Sequence, residues 1–522
     1  MLDLFSEFKM VNFITNELSC FLLIILAFLS SAILFNILIV SFNFIDAKKT
    51  FYRRQTLLNS NSFFLGFEFI LKNSIRLSLF IILWFEYLLS KYFSMFGETI
   101  LFLNGVSFCL SKSIFYCQSV GFCIISLFLI AVCILHIKIR AEEVVLFNLL
   151  LIFICALFCS NDFLGFMLAL EGLSFILYIF ASTINVMEEK RSVKQAGAKY
   201  LVLGLFSSSL LLFGLSLLYA ITGLINFTDY YIYFKYIDIN LEPFKGVFFI
   251  SFLFIIFGFL FKLSVAPFHL WLVDIYRGIE DHITFFFAIF TKPIIILVFL
   301  FKFSFLFFVG FISSVLFFVG CCSIIFGTFG AIVQYDMKGL IAYSSISNIG
   351  YVIATISLAN LQSFNVGLIY VLIYSLLIFV LFFILYHFRS LSGVGFAQNL
   401  YDYKNYFLVS SSLVFNFSIL LFSLMGLPPL IGFFIKFYVL LNLISQNFIF
   451  FALFFVVLSV IGSFYYIRII KDLFFYGNFI EVEITAYPKL SRINIVLCFF
   501  LNGLLIFMVF FSDMLLTNCW LF

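Results

Sequence analysis

The stretch FKLSVAPFHLWL, Phe261 to Leu272, follows the apolar run Val247 to Leu260 with no loop between them. It puts a lysine, a proline and a histidine inside what hydropathy marks as one continuous buried segment. An amine in hydrocarbon is costly, and a proline removes a helical hydrogen bond and crowds the carbonyl four residues back. Composition names the solvent in which this must be judged. The chain has 522 residues, of which 65% are hydrophobic and 10% charged, with a mean hydropathy of +1.23. Soluble domains carry roughly 45–50% apolar and about 25% charged residues. A water-soluble fold has no means of hiding so much apolar surface, so the solvent is lipid.

Apolar runs punctuated by charged or Asn/Gly/Pro loops predict an all-α polytopic membrane protein of about fourteen transmembrane helices. They fall near 18–41, 76–97, 113–137, 143–160, 162–184, 196–222, 246–274, 283–303, 306–333, 338–358, 365–388, 407–441, 447–470 and 493–514. Lys48, Lys49, Arg53 and Arg54 follow span one, Lys190, Arg191 and Lys194 follow span five, and Lys471, Lys489 and Arg492 follow span thirteen. Opposite loops such as Ser160–Asp162 and Ala359–Asn365 have no Lys or Arg. The basic loops therefore face the cytoplasm or the matrix, with Lys235 and Lys245 after span six as the exception. Span seven breaks at Pro267 and span twelve at Pro428-Pro429, about 160 residues later. Paired interrupted helices in corresponding halves point to inverted repeats with an ion site near the midplane. The expected domains are 1–142 with spans one to three, 143–304 and 305–471 as five-helix repeats, and 472–522 with a loop and span fourteen.

Five ionisable residues fall inside the predicted spans: Glu171, Lys199, Lys262, Lys292 and Lys436. Each central charge costs about 2.5–3.5 kcal/mol in lipid on insertion scales, so together they must face the bundle interior, pair, or meet water. Lys199 and Lys292 have a plainer reading as snorkelling or loop-proximal lysines. Lys436, just past a break, has one as a structural cap on loosened carbonyls, and the kinks have one as packing devices. Lys302 and Arg389, at span ends, read as surface anchors. The chemical use of a buried lysine is proton exchange. In water the amine holds its proton to about pH 10.4; desolvation favours the neutral form and a nearby carboxylate the charged one. Glu171 is the carboxylate expected to serve as that partner in the first half. Polar backbone freed at Pro267, Pro428 and Pro429 attracts water, which is tolerated at membrane depth only beside a cavity. Lys262 lies just ahead of the first break, and His269 just past it is a possible relay.

Other chemistry finds little footing. The net charge of +4 comes from loops, and no basic stripe offers a nucleic-acid surface. The eleven cysteines show no metal-ligand spacing and read as small buried hydrophobes. The four histidines are far apart and no haem-attachment motif appears, so no redox centre, metal or cofactor is expected on this chain. The N-terminus puts acidic residues ahead of its apolar run, unlike a secretory signal or transit peptide. The 85 phenylalanines, with much Leu, Ile, Asn and Lys, hint at an AT-rich organelle gene.

The segments LALEGLSFILYIFAS, KYLVLGLFSSSLLLFGLSLLYAITG, FKLSVAPFHLWLVDIYRG, AIVQYDMKGLIAYSSISNIGYV and SLMGLPPLIGFFIKFYVL resemble the NADH dehydrogenase subunit 2 family. Its members are antiporter-like membrane subunits of respiratory complex I. The resemblance covers roughly residues 145 to 445. It implies a proton-translocating membrane-arm subunit with a glutamate on helix five and lysines on helices six, seven, eight and twelve. Glu171, Lys199, Lys262, Lys292 and Lys436 match those places. It also implies a mitochondrial inner-membrane location, neighbouring antiporter-like and small membrane subunits and lipids as partners, and NADH and quinone bound by other subunits. A lysine at 436 sets the chain apart from the subunit 4 paralogues, and it lacks the long C-terminal extension of subunit 5. Val273 stands where a proline is usual, GIEDHIT replaces a G-x-P-T turn, and the first hundred residues match poorly. The alternative is a subunit of an Mrp-type cation/proton antiporter, with the same repeat logic and no NADH coupling.

Overall fold

A computed structural model describes residues 99–103, 106–110, 141–182, 191–236, 245–388, 399–404, 406–475 and 502–503. The predicted spans at 18–41, 76–97 and 113–137, and nearly all of 493–514, lie outside them, as does Arg389. Fourteen α-helices are described: α1 Ala141–Cys159, α2 Phe163–Ser182, α3 Arg191–Thr222, α4 Phe227–Tyr236, α5 Lys245–Lys262, α6 Leu270–Gly278 and α7 Asp281–Lys302. After a 3-10 turn follow α8 Gly310–Val333, α9 Met337–Ile356, α10 Leu361–Leu385, α11 Tyr406–Val409, α12 Ser411–Met425, α13 Ile431–Ser445 and α14 Ile449–Phe474. Eight of these contain stretches long and apolar enough to cross a membrane. The chain is an all-helical polytopic membrane protein, with one correction. Thr99–Leu103 and Val106–Leu110 pair as a two-stranded antiparallel ribbon, β1 and β2, where a loop was expected. The apolar, strand-favouring TILFL and VSFCL flank Asn104-Gly105, the dipeptide most typical of a tight hairpin.

The chain divides into two compact units, residues 1–180 with 223–232 and residues 181–222 with 233–522. In the first, the ends of a loop are tied to the start of α2: Phe163 N–H donates to the Ile225 carbonyl at 3.1 Å and Phe227 N–H to the Asn161 carbonyl at 2.9 Å. The Phe163 ring stacks on Tyr230, centroids 4.8 Å apart.

The second unit is organised around α9. Of the eight candidate spans this one has the lowest mean hydropathy, 1.3, yet it is the most completely buried. In lipid the apolar helices can stay outside, so the polar helix goes to the centre, where small residues permit close packing and hydroxyls find partners. α8 lies along it, and α3 and α14 leave apolar faces exposed: Val202, Phe206 and Phe213 on the one, Phe450, Leu453 and Phe464 on the other. α10 starts at a reciprocal cap, in which Asn360 accepts from the N3 backbone and the Ser363 hydroxyl accepts from Asn360 N–H at 3.0 Å.

Both proline-bearing spans are interrupted. α5 stops at Lys262; Ser264 takes φ 57°, Pro267 follows a cis peptide bond, and α6 begins at Leu270. α12 stops at Met425, Gly426 adopts a left-handed φ of 86°, and α13 begins at Ile431 past a cis Pro428–Pro429 bond. Pro293, in contrast, lies within α7, which continues through it. The start of α13 comes so close to the end of α12 that a Cβ on Gly432 would sit 1.7 Å from the Ser423 carbonyl oxygen. Only backbone fits there. Gly432→Ala is expected to destabilise the chain by at least the 1–3 kcal/mol of ordinary overpacking. Gly246→Ala, at a site with nothing within 4 Å, should be neutral by comparison. Thermal unfolding midpoints of the two solubilised variants test this.

Candidate functional site

The two helix breaks satisfy their loosened carbonyls in different ways. At the α12 break the lysine itself does so: Lys436 Nζ donates to the carbonyls of Met425 at 2.8 Å and Leu424 at 3.1 Å. A helix C-terminus carries partial negative charge and unpaired carbonyls, so an ammonium one turn into α13 is held by backbone from across the break. The plainer reading of Lys436 as a cap is thus a real part of its setting. At the α5 break a tryptophan takes that role. Trp271 Nε1–H donates to the Phe261 carbonyl at 3.2 Å, and its ring stacks on Phe261 at 5.8 Å and on Tyr200 at 5.0 Å. Lys262, the last residue of α5, keeps a buried Nζ but is not the group that caps this break.

Lys292 lies mid-way along α7 and is buried; its Nζ donates to Ser345 Oγ of α9 at 2.6 Å. Ser345 in turn donates to the Ala342 carbonyl at 2.6 Å. The space between α5 and α7, lined by Ile256, Phe259, Leu263, Ile296, Phe299 and Ile353, is apolar throughout. Cavities of that kind stay dry. His269 is buried between the rings of Phe326 and Tyr343, at 5.7 and 6.2 Å.

Lys199 differs from the other lysines. More than half of its side chain is exposed, and it pairs with Asp274 Oδ2 of α6 at 2.5 Å. Asp274 is one helical turn from Trp271, so Lys199 and its neighbour Tyr200 both engage α6. Glu171 belongs to the other unit. Its Oε2 accepts from Ser174 Oγ at 3.3 Å, and its Oε1 is buried without a hydrogen-bond partner among the described residues. Within the second unit the carboxylate that pairs with Lys199 is Asp274, a residue the sequence analysis did not single out. Asp274 lies 75 residues from its partner, and no local pattern joins the two.

Lys302 is buried, which corrects its reading as a surface anchor, because the turn after it, with Phe303, Phe305 and Leu306, is itself fully buried. The GIEDHIT turn is clamped. Lys338 Nζ contacts Asp281 Oδ1 and the Ile279 carbonyl, both at 2.6 Å. Arg277 pairs with Asp336 at 3.0 Å and donates to Gln334. These ion pairs fasten the α6–α7 turn to the start of α9. Among the described residues no cluster of three His, Cys, Asp or Glu could hold a metal.

A family model described as "NADH:quinone oxidoreductase/Mrp antiporter, TM" matches residues 160–462. NADH-quinone oxidoreductase subunit N of Wolbachia sp. subsp. Brugia malayi is 34% identical over 333 residues, 60% of this chain and 66% of that protein. NADH-ubiquinone oxidoreductase chain 2 of Rhizopus oryzae is 34% identical over 336 residues, 61% of each. The chain thus spans a little under two thirds of the length of these relatives. A chain of respiratory complex I from Thermus thermophilus with bound aureothin matches in fold, with a TM-score of 0.67 over 86% of this chain and 93% of that one, at 20% identity.

The Lys199–Asp274 pair makes its own test. Lys199→Ala and Asp274→Ala should each lower the thermal midpoint of the solubilised protein. The exchange Lys199→Asp with Asp274→Lys should recover most of the loss, a coupling of about 0.2–1 kcal/mol for a half-exposed pair. Additive losses in the exchanged variant would show that the two charges do not cooperate.

Proposed function

Because the chain belongs to the NADH:quinone oxidoreductase/Mrp antiporter transmembrane family, in its subunit N/chain 2 branch, we propose that it is a membrane-arm subunit of a proton-pumping NADH:ubiquinone oxidoreductase. Protons cross by way of Glu171, Lys199, Lys262, Lys292 and Lys436, the ionisable residues inside the predicted spans. The observation that carries this is Lys292. An ammonium has three N–H donors, and among the described residues this one is buried with one hydrogen bond, to a serine hydroxyl. Loss from water favours the neutral amine, while a nearby carboxylate or hydrating water favours the charged one. Proton occupancy of such a group follows the charge state of its neighbours, which is what a pump without a redox centre of its own requires.

The interrupted pairs α5/α6 and α12/α13 support reading residues 143–304 and 305–471 as two five-helix repeats of opposite orientation. Residues 1–142 and 472–522 flank them, fourteen spans in all, with the basic loops on the matrix side. NADH, flavin, iron–sulfur and quinone chemistry belongs to other subunits; this chain binds no cofactor. Its partners are neighbouring antiporter-like and small membrane subunits and inner-membrane lipid, and its location is the mitochondrial inner membrane. The family description also covers Mrp antiporters. Copurification with flavin and iron–sulfur subunits separates the two readings from a small assembly that exchanges sodium for protons.

Lys262→Ala and Lys292→Ala should leave assembly of the complex intact and lower NADH-driven proton pumping about tenfold or more, in the range of a lost proton-transfer group. NADH oxidation should fall with it. Arginine at either site should not restore pumping, because its guanidinium does not release a proton. Full pumping by an assembled alanine variant would remove that lysine from the path.

A further inference from the structure

The two helix breaks, both in the second unit, share one backbone pattern. At the first, Ser264 N–H donates to the Phe261 carbonyl at 2.9 Å, Val265 N–H to that of Leu260 at 3.0 Å and Phe268 N–H to that of Val265 at 2.7 Å. At the second, Gly426 N–H donates to the Ser423 carbonyl at 3.1 Å, Leu427 N–H to that of Phe422 at 3.2 Å and Leu430 N–H to that of Leu427 at 3.0 Å. These bonds correspond residue for residue, in the same order and at the same spacing. In each break the residue that turns the chain is left-handed, Ser264 at φ 57° and Gly426 at φ 86°. A proline stands the same distance on, Pro267 and Pro429. In that register the Leu263 carbonyl answers to the Met425 carbonyl, and Asp274 takes the place that Lys436 takes in the second break.

Equivalent carbonyls are met by different donors. The Met425 carbonyl accepts from Lys436 Nζ at 2.8 Å. Its counterpart, the Leu263 carbonyl, accepts from the hydroxyl of the fully buried Ser264 at 2.5 Å. An aspartate at 274 has no amine to offer, and it pairs with Lys199 instead. A hydroxyl at the turn and an amine from across the break are thus two answers to one loosened carbonyl, which lipid cannot satisfy. The packing agrees. A Cβ on Gly426 would lie 3.0 Å from Lys436 Cδ and 3.5 Å from its Nζ, so the lysine stem occupies the space into which a side chain at 426 would grow. Left-handed backbone favours glycine, yet Ser264 holds a side chain in the same turn. Backbone alone therefore does not account for the glycine at 426.

Resting on the reading of Lys436 as a proton-carrying group, we propose that Gly426 is the positioning residue for Lys436. By carrying no side chain it gives the lysine stem room and leaves the Met425 carbonyl to the amine. The residue at the left-handed position decides which donor a break takes. Serine lets the turn supply its own donor, as at Ser264. Glycine makes the turn depend on an ammonium from the next helix, and so keeps Lys436 at the break. A serine at 426 would press on Lys436 Cδ and compete for its carbonyl.

A double-mutant cycle separates this role from a backbone one. Gly426→Ser and Gly426→Ala are each made in the unaltered chain and in Lys436→Ala. NADH-driven pumping is measured in the complex reconstituted into vesicles, and the thermal midpoint in the solubilised complex. In the unaltered chain both substitutions should lower pumping several-fold, serine more than alanine. The left-handed penalty is common to both backgrounds and cancels between them. The midpoint loss from each substitution should therefore be smaller in Lys436→Ala, where the stem is gone. There serine should also hold a higher midpoint than alanine, since its hydroxyl takes the Met425 carbonyl, while pumping stays low. Equal midpoint losses in the two backgrounds would mean that the glycine serves the turn alone, and would overturn the proposal. Full pumping by both Gly426 variants while Lys436→Ala is impaired would overturn it and leave the lysine reading standing. Normal pumping by Lys436→Ala would instead remove the reading beneath it. If the Gly426 variants assemble only in Lys436→Ala, the proposal holds; if they assemble in neither background, it falls.

Discussion

Everything in the second unit follows from the difficulty of keeping an ammonium or a bare carbonyl in hydrocarbon. No water is at hand to satisfy either one, and each unmet group costs several kcal/mol. The α12–α13 break resolves two such problems with one contact. The carbonyls of Leu424 and Met425 lose their helical partners, Lys436 loses its water, and the three are brought together at hydrogen-bond distance. Gly426 permits the left-handed turn that ends α12, and Gly432 permits the backbone approach that brings α13 in. At the α5–α6 break the Phe261 carbonyl accepts from both Trp271 Nε1–H and Ser264 N–H. The two breaks look alike in sequence and are not equivalent in chemistry.

The same constraint explains why the least apolar span is the most buried. α9 is serine-rich and hydroxyl-lined, and surrounding it with α7, α8, α10 and α14 puts its polar groups against one another and Lys292. Its starting end is held by ion pairs from Lys338 and Asp336 to the α6–α7 turn. That arrangement sets the height of α7 against α9, and so which serine Lys292 meets. A charged turn outside the hydrocarbon thereby fixes a contact within it.

The lysines are consequently not four copies of one device. Lys292 is buried on a hydroxyl, Lys436 on backbone carbonyls, Lys199 is half in the open on a carboxylate, and Lys262 ends a helix with its amine buried. Their surroundings differ in kind, so the same residue type meets a hydroxyl, a backbone carbonyl pair, an exposed carboxylate and a buried helix end.

The amino-acid sequence by itself determined the solvent, the described apolar helices and the positions of the ionisable residues and breaks within them. Twenty-residue apolar runs with charged loops admit one reading, because helices alone satisfy their backbone within such a segment, and a charge inside one is too costly to be idle. The positions of Lys262, Lys292 and Lys436, and the breaks at Pro267 and Pro428-Pro429, were legible on that ground alone. The ribbon at Thr99–Leu110 was legible too, through Asn104-Gly105 between two five-residue apolar runs, each too short to span a membrane. Only the tertiary structure decided the partners. Asp274 for Lys199, Ser345 for Lys292, Trp271 at the first break and Tyr370 on Asn348 join residues 75, 53, 10 and 22 positions apart. All four are meetings between separate helices, set by packing. Nothing in a local run of residues records which faces of two distant helices will touch.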